Sequence, residues 1–122
     1  MDIVQRATGV ETNITFTPHL VPMDRGILST IYIRPTDGAT ANQIRECLAT
    51  FYDGQPFIRV VAHLPTTKQV AFTNCCDITV REHGDWIVLL SAIDNLVKGA
   101  SGAAVQCMNV MYGYEETTAL IV

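Results

Sequence analysis

A chain of 122 residues, 48% hydrophobic and 16% charged, is sized for one domain with a moderate core. Its formal charge of −4 and the absence of any Lys/Arg cluster exclude nucleic-acid binding as its role, and its longest apolar runs fall far short of a membrane span. The four cysteines show no Cys-x-x-Cys spacing, which argues against a metal site and a disulfide framework and for a reduced, cytoplasmic setting.

In chain order, residues 1–8 read as the tail of a helix that Gly9 closes. Asn13–Thr17 alternates as a short strand, and a loop runs from Pro18 to Gly26. Ile27–Arg34 is rich in β-branched and aromatic residues and reads as a strand. Asp37-Gly38 turns the chain. Thr40-Ala-Asn-Gln43 has capping-box spacing, and Ala41, Ile44, Leu48 and Phe51 share one face of the helix that follows, with Gly54 as its stop. Phe57–His63, Lys68–Phe72, Cys76–Glu82 and Trp86–Ala92 read as strands, and His83-Gly84-Asp85 joins the last two as a hairpin. Cys75 and Cys76 would point to opposite faces of a strand. A final helix carries Val105, Met108, Met111 and Tyr112 on one stripe and stops at Gly113. Many strands with few helices give an α+β fold, a mixed, largely antiparallel sheet with helices on one face.

The segment from Ser91 to Gln106 is the most informative. It leaves a strand at a polar turn, Asp94-Asn95, and passes through Gly99 to Ala104, nearly all small. A helix start so bare of side chains lets another body approach its free N–H groups. Tight packing against a strand explains the same composition. Exposed Asp94, Asn95 and Lys98 at one turn favour a ligand-facing edge.

Asp94-Asn-Leu-Val-Lys-Gly-Ala-Ser-Gly-Ala-Ala-Val-Gln-Cys-Met-Asn109 resembles the C-terminal signature of the N-acetyl-gamma-glutamyl-phosphate reductase family. Phe16-Thr-Pro-His-Leu-Val-Pro-Met-Asp-Arg-Gly-Ile27 is similar to a second block of that family, in the expected order. Thr67-Lys-Gln-Val-Ala-Phe-Thr-Asn-Cys-Cys-Asp77 is similar but looser, since many relatives carry Gly near Phe72. The resemblance implies a catalytic domain like that of glyceraldehyde-3-phosphate-dehydrogenase-like reductases. It also implies NADP as cofactor and an acyl phosphate as substrate: a thiolate attacks the γ-acyl phosphate, phosphate leaves, and hydride reduces the thioester to the semialdehyde of arginine biosynthesis. Aspartate-semialdehyde dehydrogenases share the Asn-Leu-x-Lys-Gly flavour and form a sibling alternative, without the Thr-Pro-His-Leu block.

The family's NADP domain and its nucleophile, in a Gly-Cys-Tyr-Pro context, have no counterpart here. The expectation is therefore the C-terminal part of a longer reductase, itself inactive and without a catalytic residue. Residues 1–93 would form a substrate and dimerisation domain, incomplete at its start. Residues 94–122 would form a cofactor-edge loop and a helix that packs on the missing NADP domain, and an uncovered apolar face favours a homo-oligomer. A non-catalytic assembly module is the reading from another class.

Among single residues, Asn95 could simply cap the turn, whereas the resemblance places it against the nicotinamide carboxamide. Lys98, Gly99 and Gly102 are the further cofactor-side candidates, although Gly-x-x-Gly alone is a weak signal. Arg25 and His19 lie in a loop pinned by Pro18 and Pro22, and the resemblance makes them substrate-binding candidates. A guanidinium grips carboxylate or phosphate bidentately, which favours Arg25. His63 and His83 read as structural, and a hydrolase built on Cys75 or Cys76 lacks any supporting motif.

Overall fold

The nearly continuous apolar run from Trp86 to Ile93 forms an inner strand of the sheet. The computed structural model describes residues 5–6, 8–10, 13–35 and 38–122. Its sheet contains β1 (Ile27–Ile33), β2 (Ile58–Val60), β3 (Cys76–His83) and β4 (Trp86–Ile93) in the order β1-β4-β3-β2. β4 runs antiparallel to both neighbours, with Ile33 opposite Ile87 and Val80 opposite Leu89, while β2 runs parallel to β3. The sheet is mixed and mostly antiparallel, as the strand-rich sequence implies. His83 pairs with Trp86, so the hairpin turn is Gly84-Asp85, and Gly84 takes the positive φ of 59° that a two-residue connection demands.

Helix α1 (Ala41–Phe51) starts on the expected capping box: Thr40 Oγ1 accepts from the Gln43 N–H at 3.3 Å, and Gln43 Oε1 accepts from the Thr40 N–H at 2.8 Å. Glu82 of β3 accepts from the Ala41 N–H at 3.2 Å, placing a carboxylate at the positive end of the helix. Ala41, Val80 and Ile87 form one core cluster, closed by Ile33, Ile44, Leu48 and Leu89. Phe51 departs from the expected packed face: it stays 75% exposed and meets Tyr52 edge-on. Val70, Cys75 and Ala92 form a second cluster. The period-2 register puts Ala92 on the face opposite Ile87.

Three strand expectations fail. Residues 13–17 are irregular. Lys68–Phe72 is not a strand but one turn of helix, α2 (Thr67–Val70), because Gln69 reaches back to the Thr66 N–H at 2.9 Å as Gln43 does to Thr40. The strand expected over Phe57–His63 shrinks to β2, because beyond it the carbonyls of Val61 and Ala62 are taken by the Thr79 hydroxyl and the Arg81 guanidinium. At the start, Gln5, Arg6 and Thr8 are helical, and Gly9 ends that turn at φ 72°. The rest of the expected helix, residues 1–4 and 7, and Asp37 of the expected turn lie outside the described residues.

After β4 the chain forms a π-helical turn (Val97–Ser101) that runs into α3 (Gly102–Tyr112), ended by Gly113 at φ 73°. The stripe of Met108, Met111 and Tyr112 faces outward, and the buried residues of α3 are Gly102 and Asn109. Asn109 Nδ2 donates to the carbonyls of Glu116 and Thr118, at 3.1 and 2.9 Å, and so folds the C-terminal segment back. The Asn74 N–H then donates to the Ile121 carbonyl at 2.8 Å.

Candidate functional site

The loop before β1 and the turn after β4 meet because β1 and β4 are paired, Ile27 lying opposite Ile93. Two dipeptides interlock there. Arg25 Nε donates to Asp94 Oδ2 at 2.6 Å, and the Gly26 N–H donates to Asn95 Oδ1 at 2.7 Å. The Asp94 carboxylate also accepts from the Phe72 N–H at 2.6 Å, and from the Leu96 and Val97 N–H groups at 2.8 and 2.9 Å. Its side chain is fully buried, which corrects the expectation of an exposed Asp94. The loop and the first helical turn present converging donors, and one ionised carboxylate satisfies them together. Burial works against that charge, yet the Arg25 bond and the three backbone donors outweigh it and hold the carboxyl at about 2, below its ordinary 3.8.

Asn95 is fixed by the same contact. A backbone N–H can meet only the carbonyl end of an amide, so Oδ1 is committed to Gly26. Nδ2 is left as a donor with no hydrogen-bond partner among the described residues. Arg25 is likewise half engaged. Its Nε is used, its Nη groups have no hydrogen-bond partner among the described residues, and its guanidinium carbon lies 4.1 Å from the centroid of the Phe72 ring. Arg25 and Asn95, chosen separately from sequence, are thus brought into one unit.

The other candidates sit differently. Lys98 turns inward: its Nζ donates to Gln106 Oε1 at 2.7 Å and lies 5.3 Å from the Phe57 ring centroid. Gln106 Oε1 also accepts from Asn74 Nδ2 at 2.9 Å, and Gln106 Nε2 donates to Glu116 Oε1 at 2.6 Å. Gly99 is exposed, and a methyl there would meet only ordinary contacts, the nearest at 3.4 Å from the Asp94 carbonyl. Gly102 is buried, and a Cβ would collide with the Asn74 side chain and come within 2.8 Å of the Val97 carbonyl. Close packing therefore accounts for Gly102. His19 is exposed, and its Nδ1 lies 3.0 Å from the Thr17 carbonyl, a local contact.

Sequence reasoning missed Asp94 as the hub, Phe72 as its partner, and the Asn74–Gln106–Glu116 chain. The spacing of Asp94 two and three residues before Leu96 and Val97 was the available signal for a capping carboxylate. All four cysteines are free: Cys75 is buried, Cys76 meets the Ser91 hydroxyl at 3.3 Å, and Cys47 and Cys107 are exposed. None has a histidine hydrogen-bond partner among the described residues. No cluster of three or more His, Cys, Asp or Glu among the described residues could hold a metal ion, and no helix there is long and apolar enough to cross a membrane.

A family described as "Semialdehyde dehydrogenase, dimerisation domain" matches residues 1–95, and the chain belongs to that family. Within it, the chain is similar to proteins named N-acetyl-gamma-glutamyl-phosphate reductase. It is 52% identical to that of Magnetococcus marinus, over 93% of this chain and 34% of the relative. For Rhodopirellula baltica the figures are 51%, 98% and 36%, and for Citrifermentans bemidjiense 55%, 92% and 34%. The chain thus spans about a third of the length of the curated relatives it matches.

Proposed function

We propose that this domain works as the C-terminal part of an NADP-dependent N-acetyl-gamma-glutamyl-phosphate reductase, a cytoplasmic oxidoreductase of arginine biosynthesis. Residues 1–93 would supply the subunit-association and substrate-side portion, and residues 94–122 the cofactor-edge turn and helix. The observation that carries this reading is the interlock of Arg25-Gly26 with Asp94-Asn95, which sets a guanidinium and a carboxamide side by side. The Nη groups of Arg25 would bind the carboxylate or phosphate of the substrate, with His19 in the same loop. Asn95 Nδ2 would donate to the carboxamide oxygen of a nicotinamide, and the small exposed residues Gly99, Ala100 and Ser101 would let the ring approach. Such a cofactor supplies hydride. Lys98 would act through Gln106, and Gly102 would hold the helix close rather than touch the cofactor. The nucleophile is assigned to a part of the protein outside this chain.

A second reading, a non-catalytic assembly module, is favoured by β1, whose Leu28 and Tyr32 on one face and Ile27 and Ile31 on the other are all at least 44% exposed. One experiment separates the two. The corresponding third of the Magnetococcus marinus reductase is replaced by this chain, and the hybrid is assayed for NADPH-dependent reduction of N-acetylglutamyl phosphate and sized by light scattering. Turnover by a dimer supports the reductase reading. A hybrid that dimerises without turnover points to the assembly module.

A further inference from the structure

Arg45 and Arg81 meet at the edge of the sheet that lies away from β1 and Arg25. β2 ends at Val60, and beyond its pairing with Ile78 the outer edge of β3 has no strand partner among the described residues. Arg45 Nη2 donates to the Val80 carbonyl there at 3.2 Å, and Arg81 Nη1 donates to the same oxygen at 2.9 Å. Helix α1, which carries Arg45, covers the sheet face of Val80. Arg81 is one residue further along β3 and so starts from the opposite face. The two guanidiniums therefore come round the edge from both sides and converge on one backbone oxygen.

Their charges are not answered locally. Arg25 and Arg59 each hold a carboxylate, Asp94 and Asp77, but neither Arg45 nor Arg81 forms a salt bridge among the described residues. Glu82, next to Arg81 in sequence, is committed to the Ala41 N–H. The remaining acceptors are neutral: Asn42 Oδ1 for Arg45, and Thr79 Oγ1 and the Ala62 carbonyl for Arg81. Like charges drawn to one neutral oxygen repel each other, and an anion between them removes that repulsion. Donors remain to hold one. Arg45 Nε is buried without a hydrogen-bond partner, so the guanidinium edge it shares with Nη2 meets one acceptor rather than two. Arg81 Nε also has no hydrogen-bond partner among the described residues.

We propose that Arg45 and Arg81 form an oxyanion site at the β3 edge, taking a tetrahedral anion of the phosphate type. A flat carboxylate fits the fork of one guanidinium. Two guanidiniums arriving from opposite faces call for oxygens in more than one plane, which a tetrahedral anion offers. Free phosphate and a phosphate monoester share that chemistry. The site is separate from the Arg25–Asp94 junction and stands independently of the reductase reading.

The test follows the Nε–H resonances of Arg45 and Arg81 in the full chain. Inorganic phosphate, O-phosphoserine and acetate are titrated against sodium chloride at matched ionic strength. Phosphate is expected to shift both resonances along one saturation curve and to raise the melting temperature by a few degrees once well above its dissociation constant. Chloride should move neither, and acetate should bind several-fold more weakly. Tighter binding of O-phosphoserine than of phosphate assigns the site to a monoester, and the reverse order assigns it to the free ion. Arg45→Gln should weaken phosphate by about tenfold or more and abolish the response of Arg81. Arg81→Lys, which keeps the charge without the fork, should weaken it several-fold, so a folding failure of one variant leaves the other as a check. Separate saturation curves for the two residues, or shifts that chloride reproduces, would overturn the joint site. So would phosphate affinity left unchanged by either substitution, and acetate binding as tightly as phosphate would overturn the tetrahedral assignment.

Discussion

Arg25 Nε donates to Asp94 Oδ2 at 2.6 Å, across a separation of 69 residues. This bond turns two sequence motifs into one piece of structure. The proline-pinned loop before β1 and the polar turn after β4 are held by a single buried carboxylate, which also anchors Phe72 and the first turn beyond the sheet. A displacement of Asp94 therefore moves the guanidinium and the carboxamide together.

The first prediction follows from the charge on Asp94. Its folded-state pKa of about 2 lies below the ordinary 3.8, so its contribution to stability is complete above about pH 4 and is lost as pH falls through about 2. Asp94→Asn should remove that contribution and flatten the stability profile in that window. At neutral pH the variant should lose about 3 kcal/mol, the low end for breaking a buried pair, because Arg25 keeps some solvent access. Urea unfolding at a series of pH values measures both effects. Parallel profiles for the parent and variant chains would refute the role of the carboxylate.

Much of this fold is legible in the sequence. Short runs rich in β-branched, aromatic and apolar residues marked β1, β3 and β4, the Thr40–Gln43 spacing marked α1, and Gly113 marked the end of α3. Thr66-Thr67-Lys68-Gln69 carries the same capping signal as Thr40–Gln43, yet the β-branched and aromatic residues around it suggested a strand. Local hydrogen bonding decided the outcome there. In the site, the family resemblance, with residue type in support, pointed to Arg25 and Asn95. The burial of Asp94 was not legible, because it depends on donors arriving from Arg25 and Phe72, far away in the chain. Inward-turned Lys98 was hidden for the same reason, since Gln106 and Asn74 define its surroundings.

Asn95 makes two separable contributions, and two substitutions divide them. Asn95→Asp keeps an oxygen for the Gly26 N–H but replaces the outward donor with an acceptor. In the Magnetococcus hybrid it should lower kcat/KM by about 1–3 kcal/mol, roughly 5- to 150-fold, while leaving the melting temperature nearly unchanged. Asn95→Ala should lower both, since Gly26 then loses its acceptor. Steady-state kinetics with unchanged kcat/KM for both variants would remove Asn95 from the site.

The two glycines of the helix start should respond oppositely to a methyl group. Gly102→Ala forces a Cβ against Asn74 and the Val97 carbonyl, a backbone atom that cannot step aside, and should cost about 1–3 kcal/mol. Gly99→Ala meets nothing closer than 3.4 Å and gains helix propensity, so it should be neutral or stabilising by up to about 1 kcal/mol. Thermal unfolding of both variants checks this. If Gly99→Ala proves neutral for stability yet weakens NADPH binding in the hybrid, the exposed edge is where the cofactor approaches.

The C-terminal segment offers the last test. Ala119 has a φ of 61° and is exposed, so its side chain is strained without burying anything. The strain persists because the residues before it are held: Asn109 clamps the carbonyls of Glu116 and Thr118, and the Leu120 N–H closes on the Thr117 carbonyl at 3.0 Å. Ala119→Gly releases about 1–2 kcal/mol of left-handed strain and adds back about 0.5–1 kcal/mol of chain entropy. The net expectation is a gain of about 0.5–1 kcal/mol. Ala119→Val, β-branched at the same φ, should lose stability instead. In an Asn109→Ala background the clamp is gone, the segment is free to leave the left-handed region, and the benefit of Gly should shrink towards zero. Urea unfolding of the four-variant cycle measures that coupling. Equal gains from Gly with and without Asn109 would show that the clamp does not impose the backbone of Ala119.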